Sequence, residues 1–265
     1  MKAIFNNILL WAGFSILACG FMFSLTPLAV AGNAPAQQFT LVLDAGHGGK
    51  DPGALGKSGK EKNINLAVAL AVGKLVEDNL KDVKVVYTRK TDVFIELDER
   101  ANIANKAKAD LFISIHTNAV ASKTQHRGSE TYTLGMHRAA DNLAVAKREN
   151  AAIMLEKDYE SRYEGFDPKS AESYIIFEFM QDKNMEKSVR LAQLIQNQFR
   201  ASGRPDKGVH QAGFLVLRAT SMPSCLIELG YITTASEETY LTSDRGVSEL
   251  ATSIYRAIKK YKETH

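Results

Sequence analysis

The sequence predicts an α/β fold: one domain with a mostly parallel, twisted sheet, helices on both faces, and a helical insertion. Short apolar runs alternate with segments of helical period, the order that crossover connections impose on parallel strands. Three of these runs are Leu41-Val-Leu-Asp-Ala-Gly-His-Gly-Gly, Phe112-Ile-Ser-Ile-His-Thr-Asn and Cys225-Leu-Ile-Glu-Leu-Gly-Tyr. Each leads into a residue able to bind a metal or move a proton: His47, His116 and Glu228. Buried parallel strands deliver their C-terminal ends to one crevice, where ligands and catalytic groups collect.

The first strand is expected over 39–44, followed by a glycine-rich turn that runs to about Gly59. A helix follows over 63–80, with Ile64, Leu66, Ala67, Leu70, Ala71 and Leu75 as its apolar residues. The second strand spans 83–87. The second helix spans 97–108, with Leu97, Ile103, Ala104 and Ala107 on one side. Strands at 111–115 and 128–134 come next, and a helix at 185–200. Two late strands are expected at 213–217 and 224–229. The closing helix spans 247–261, with Leu250, Ile254 and Ile258 in register. The segment 136–182 breaks this rhythm: it is long and charge-rich, with a helix over 139–160 and a break at Gly165-Phe-Asp-Pro168. Leu143, Ile153, Tyr159, Ile176 and Phe179 still give it residues to pack, and long insertions inside compact domains often serve as lids.

Apolar residues make up 45% of the chain and charged ones 24%, the balance of an ordinary globular protein. A net charge of +3 and the lack of basic clusters interleaved with aromatics argue against a nucleic-acid partner. The N-terminus differs in kind. Lys2, the apolar stretch from Ile8 to Met22 and the small residues of Ala29-Val-Ala31 read as a secretory signal over 1–31. The apolar stretch is shorter than the ~20 residues a spanning helix needs. The mature protein, 32–265, is therefore expected to be exported to the periplasm or cell wall, with membrane contact only through the signal. Ile16-Leu-Ala-Cys19 weakly resembles a lipoprotein box, but apolar residues continue beyond it. Export leaves Cys225 as a lone cysteine in an apolar strand, where it reads as a small buried hydrophobe.

A hydrolytic zinc site needs three protein ligands and one open position. His47 and His116 offer two nitrogens. Glu61 offers a carboxylate at the start of the first helix, reached from His47 through a glycine-rich loop whose backbone can pass close to a ligand. Taken singly, His47 could cap a turn, Glu61 could favour a helix N-terminus, and His116 could bond a neighbouring loop. Glu228 ends an apolar strand; burial raises a carboxyl's pKa and suits it to take and return a proton. Its plainer reading is a structural partner for Arg218 or Arg89. His126, His137, His210 and His265 read as exposed. No Gly-x-Ser-x-Gly elbow, Ser-x-x-Lys motif or reactive Cys–His pairing is present.

Several motifs occur together in one order: Leu43-Asp-Ala-Gly-His-Gly-Gly-Lys-Asp-Pro-Gly-Ala54, Glu61, Tyr87-Thr-Arg-Lys-Thr-Asp92, Arg100-Ala-Asn102, Ala109-Asp-Leu-Phe-Ile-Ser-Ile-His-Thr-Asn-Ala119 and Leu226-Ile-Glu-Leu-Gly-Tyr-Ile232. Over 39–262 the chain thus resembles the zinc-dependent N-acetylmuramoyl-L-alanine amidases of the Amidase_3 type. The resemblance implies a phosphorylase/hydrolase-like sheet and one zinc per chain on His47, Glu61 and His116. It also implies Glu228 as the catalytic glutamate and peptidoglycan as substrate, cut between the lactyl group of N-acetylmuramic acid and L-alanine. Thr117 and Tyr231-Ile-Thr-Thr depart from the commonest pattern without removing any of these groups.

The 136–182 insertion resembles the regulatory segment of division-associated amidases, in which a helix covers the site until a protein activator removes it. An acid from this segment (Glu156, Glu160, Glu164 or Glu172) is expected in the open zinc position, and Asn118 and Arg218 near the substrate. Two rivals are a zinc peptidase acting within the stem peptide and a non-catalytic wall-binding regulator.

Overall fold

The structure, a computed structural model, describes residues 38–120, 125–137, 139–180 and 183–264. The expected signal over 1–31, Cys19 included, lies outside the described residues. No described helix is long and apolar enough to cross a membrane.

The strands are β1 (Phe39–Ala45), β2 (Val83–Tyr87), β3 (Leu111–Asn118), β4 (Ser129–Leu134), β5 (Asp206–Ala212) and β6 (Ser224–Tyr231). They form one six-stranded sheet in the order β2-β1-β3-β6-β4-β5. β1, β2, β3 and β6 run parallel; β4 is antiparallel to β6 and parallel to β5. The reversal at β4 follows from the length of 119–128, which is short for a parallel crossover of a dozen or more residues. β3 and β6 are central and buried along their whole length, which is why their sequences read as apolar runs rather than alternations.

The helices are α1 (Glu61–Asn79), α2 (Leu97–Lys106), α3 (Ala140–Asn150), α4 (Tyr159–Arg162), α5 (Ile176–Phe179), α6 (Met185–Ala201), α7 (Leu215–Arg218), α8 (Ala235–Leu241) and α9 (Asp244–Thr264). Side chains alternate across a strand, so Leu41 and Leu43 face one core while Val42 faces the other. The first core lies under α1, α6 and α9, through Val68, Val72, Ile195, Phe199, Ile254 and Ile258. The second is closed by α2, α7 and the insertion, with Ile153, Tyr163, Phe166, Tyr174 and Phe177 packed on Phe112 and Leu226.

Three expectations are corrected. The strand placed at 213–217 is the short helix α7 preceded by a turn, and the edge strand is β5, one step earlier. β5 carries a weak pattern because it pairs on one side only and is mostly half-buried, whereas Phe214–Leu217 is apolar because it plugs the second core. α1 buries Ile64, Val68, Ala69, Val72 and Val76, while Ala67 is exposed; the packed stripe is rotated from the one the sequence suggests. The helix expected over 139–160 stops at Asn150 and continues as a 3-10 turn, Ala151–Leu155. Asn150 explains the stop. Its amide donates to Gly213 O (2.7 Å) and its oxygen accepts from Leu215 N (2.9 Å), pinning the end of α3 to the body of the domain. The insertion is thus a piece of the second core, not a loosely attached flap.

Candidate metal centre

The chain leaves β1 through a turn that carries His47 at φ +61, a left-handed conformation uncommon for a residue with a side chain. Two buried arginines hold this turn. Arg89 donates to the carbonyls of Ala45 (2.8 Å) and Gly46 (2.9 Å), and Arg100 to those of Ala45 (2.9 Å) and His47 (3.0 Å). Arg100 is itself paired with buried Asp44 at 2.7 Å, which also accepts from Thr88 and Ser114. Burial opposes the Asp44 charge, but Arg100 and the two hydroxyls hold its carboxyl below the usual range. Gly46 is required by a close approach: a Cβ there would stand 2.3 Å from His116 Nε2. Gly46→Ala is expected to cost about 1–3 kcal/mol by overpacking. It should also displace the His116 ring, so thermal melting and metal titration should both register it.

His116 sits near the end of β3, directly opposite Glu228 of β6 in the parallel register, and the ladder shifts register between His116 and Asn118. Such irregularities re-aim side chains at functional sites. Glu61 is the first residue of α1 and fully buried. Its Oε2 accepts from Ala54 N (2.7 Å), and its Oε1 accepts from Thr117 N (2.8 Å) and Asn65 Nδ2 (3.3 Å). One carboxylate therefore ties together the β1–α1 loop, α1 and β3. That Oε1 lies 3.2 Å from His47 Nε2 and 3.3 Å from His116 Nδ1.

A fourth group completes the cluster. Glu149 Oε2 lies 2.9 Å from His47 Nε2 and 2.8 Å from His116 Nδ1. One donor atom from each of His47, Glu61, His116 and Glu149 falls within 4.8 Å of all the others, and all four residues are buried. His116 Nδ1, despite its short separation from Glu149, makes no hydrogen bond of acceptable angle, so a buried nitrogen faces the cluster without a partner. Two imidazoles and carboxylates around a shared point, with such an orphaned nitrogen, fit a zinc-type ion. Behind His47, Asp51 Oδ2 bonds Nδ1 at 2.7 Å, which leaves Nε2 for the centre. Asp51→Ala is expected to lower metal affinity about 10–100-fold, readable by competition with a chelator.

The four groups shape one another's charge. Burial opposes ionisation of Glu149, but Arg148 and His116 hold it well below the usual carboxylate range. Burial likewise disfavours His47 as a cation, yet Glu61, Asp51 and Glu149 raise its pKa well above the ordinary value. Glu228 is pushed the other way: burial and the Glu149 charge raise it well above the usual range, against the pull of Arg148. Its Oε1 meets Arg148 at 3.1 Å, and its Oε2 is buried without a partner.

The expected acids of the insertion do not reach the centre. Glu156 is buried but caps α2, accepting from Leu97 N (2.8 Å) and Tyr163 OH (2.9 Å). Glu160, Glu164 and Glu172 are exposed. Glu149 is the acid of the insertion that lies against His47 and His116. It was missed because Lys147-Arg148-Glu149 reads as a solvated charge run, and only the docking of α3 buries it. Arg218 lies over the Tyr163 ring at 5.8 Å and lines a separate cavity with Leu134, Met180 and Lys183. Neither it nor Arg89 pairs with Glu228; Arg148 does.

Asn118 is at the centre's rim. Its Nδ2 donates to Glu130 Oε1 (2.6 Å), which also accepts from Tyr231 OH (2.8 Å), and its Oδ1 accepts from Arg148 (2.9 Å). A cleft of about 590 Å³ opens on this side, past Asn118, Arg148, Lys207 and Tyr231. His126 and His210, expected to be exposed, are half-buried in its lining. A second cleft, about 270 Å³, opens past His47, Glu61 and Leu155, and Arg148 borders both. Cys225 is free and buried.

Residues 41–260 match the Amidase_3 family, described as N-acetylmuramoyl-L-alanine amidase, which is in general zinc-dependent. AmiC of Escherichia coli O6:H1, an N-acetylmuramoyl-L-alanine amidase, is 34% identical over 228 residues; the match covers 83% of this chain and 52% of that protein. The chain thus spans about half the length of that relative. Bacillus subtilis YqiI is 35% identical over 257 residues, covering 96% of this chain and 98% of the relative. The catalytic domain of CwlV, an N-acetylmuramoyl-L-alanine amidase from Bacillus (Paenibacillus) polymyxa var. colistinus, superposes with a TM-score of 0.62 at 30% identity, covering 86% of this chain and 99% of that one. These matches run through the sheet, the loop after β1 and the ends of β3 and β6, and the chain belongs to the Amidase_3 family of N-acetylmuramoyl-L-alanine amidases.

Proposed function

We propose that this amidase domain hydrolyses the bond between the lactyl carbonyl of N-acetylmuramic acid and the L-alanine nitrogen of the peptidoglycan stem peptide, with one zinc held by His47, Glu61 and His116. The observation that carries the reading is the convergence of those three side chains at the crevice end of β1, α1 and β3, with Glu228 next to His116 in register. A bound zinc supplies Lewis acidity for the carbonyl and brings water's acidity towards the neutral range. Glu228 takes the proton from the attacking water and passes it to the alanine nitrogen. The C–N bond breaks, leaving a lactyl carboxylate and a free amine. Asp51 fixes the His47 ring, and Thr117 N and Ala54 N fix Glu61.

Glu149 stands where an open position is needed, so the insertion, 136–182, holds the enzyme in a closed state. A protein activator acting on it is supported by its exposed apolar residues, Ile175, Ile176 and Phe179. The secretory signal expected over 1–31 and a polymeric wall substrate support export to the periplasm or cell wall. Digestion of muropeptides by the zinc-loaded protein, read by mass spectrometry, tests the reaction. Free stem peptides beginning at L-alanine, lost on chelation and restored by zinc, are expected. Fragments cut within the stem would instead identify a peptidase.

A further inference from the structure

Arg148 and Glu149 are consecutive residues of α3, yet they point their charges at two different parts of the centre. Glu149 Oε2 faces His47 and His116, while its Oε1 pairs with Arg148 at 2.7 Å. The Arg148 guanidinium reaches past the metal ligands. It lies 3.1 Å from Glu228 Oε1, 2.9 Å from Asn118 Oδ1 and 2.8 Å from the carbonyl oxygen of Ala119. Besides its neighbour Glu149, three acceptors thus converge on one cation: a carboxylate, an amide oxygen and a backbone carbonyl. Such a trio suits an ammonium group, which offers three donors. Hydrolysis of an amide yields a carboxylate and an amine that is protonated near neutral pH. The two products would lie side by side, the carboxylate towards the metal ligands and the ammonium towards Glu228.

We propose that the Arg148–Glu149 pair is a built-in mimic of the two products, so that Glu228 Oε1, Asn118 Oδ1 and Ala119 O form the subsite for the leaving amine of the stem peptide. The inference rests on the amidase reading above and deepens it. It gives the closed state two contacts instead of one: Glu149 covers the metal ligands, and Arg148 fills the amine subsite and ties up Glu228. It also gives the clefts a direction. The 590 Å³ cleft opens directly from Asn118 and Arg148, so the stem peptide extends there, towards the cationic Lys207 and away from the smaller cleft beside Glu61.

The test is calorimetric binding of L-alanyl-D-isoglutamine, which has a free amine, against its N-acetylated form, in the presence and absence of zinc. Arg148→Ala in the otherwise intact protein is expected to bind the free amine at least tenfold more tightly than the acetylated form. Wild type and Arg148→Lys, both of which keep a cation in the subsite, are expected to bind neither. Adding Glu228→Gln to Arg148→Ala should abolish the preference, with circular dichroism reporting that the variants fold. Equal binding of both dipeptides by Arg148→Ala, or binding of neither, overturns the proposal. Muropeptide cleavage by Glu149→Ala without amine preference in Arg148→Ala overturns the mimic and keeps the amidase. Amine preference with no cleavage by any variant overturns the amidase reading and keeps the subsite.

Discussion

Glu149→Ala is expected to raise the basal muropeptide-cleaving activity of the zinc-loaded protein by about 10–100-fold. One side-chain oxygen of Glu149 stands 2.9 and 2.8 Å from the two imidazole nitrogens that face the centre, so it fills the position an open site needs. Removing the carboxylate leaves the position beside His47, Glu61 and His116 to water. The rise should be limited because α3 remains anchored: Asn150 still binds Gly213 and Leu215, and Ile153 still packs in the second core. The same anchoring makes the point variant a better test than deletion of 136–182, which would strip Tyr163, Phe166, Tyr174 and Phe177 from that core. Zinc affinity should fall in the same variant, since the second carboxylate of the four-residue cluster is lost. Unchanged activity with unchanged zinc affinity would show that Glu149 does not block the centre.

Much of the centre is legible in the sequence because its residues interrupt patterns. His116 and Glu228 are polar residues that follow apolar runs in doubly buried strands, and His47 follows such a run within a glycine-rich turn. Nothing but position in the sheet is needed to bring their elements to one edge. Glu61 is legible for a related reason, as an acid opening a helix, although the helix begins two residues before the expected start. What is not legible depends on docking. Glu149 sits in a charge run on an amphipathic helix, and its local sequence is compatible with full exposure. It is buried because Asn150 docks the end of α3 through bonds to Gly213 and Leu215, more than 60 positions away, and Ile153 packs in the second core. Arg148 as the partner of Glu228 is hidden for the same reason. β5 is hidden because an edge strand need bury little: Asp206–Ala212 has one hydrogen-bonded neighbour and a fully buried residue only at Ala212.

Glu228→Gln is expected to lower turnover by about 100- to 10,000-fold, the range typical of a lost general base, while zinc stoichiometry stays that of the parent. The amide matches the carboxylate in size but cannot accept the proton from water, so shape and chemistry are separated. Glu228 Oε2 is buried without a hydrogen-bond partner, and its carboxyl is raised well above the usual range by burial and by Glu149, opposed by Arg148. Those are the surroundings of a group that gains and gives up a proton, not of a salt bridge optimised for stability. The measurement belongs in the Glu149→Ala background, where the centre is open and the baseline rate is high. Ligand variants should behave differently there: His116→Ala should lose zinc and turnover together, because its Nδ1 is one of the nitrogens facing the cluster. Zinc loss in Glu228→Gln would make Glu228 a ligand instead. Near-normal turnover with zinc retained would remove it from the reaction, and proton transfer would need another acceptor. Burial opposes ionisation of its buried neighbours, but Glu61 is held ionised by His47 and Glu149 by Arg148 and His116. Among the described residues, only Glu228 combines a raised carboxyl with a place next to His116, and for that reason its substitution should separate zinc binding from turnover.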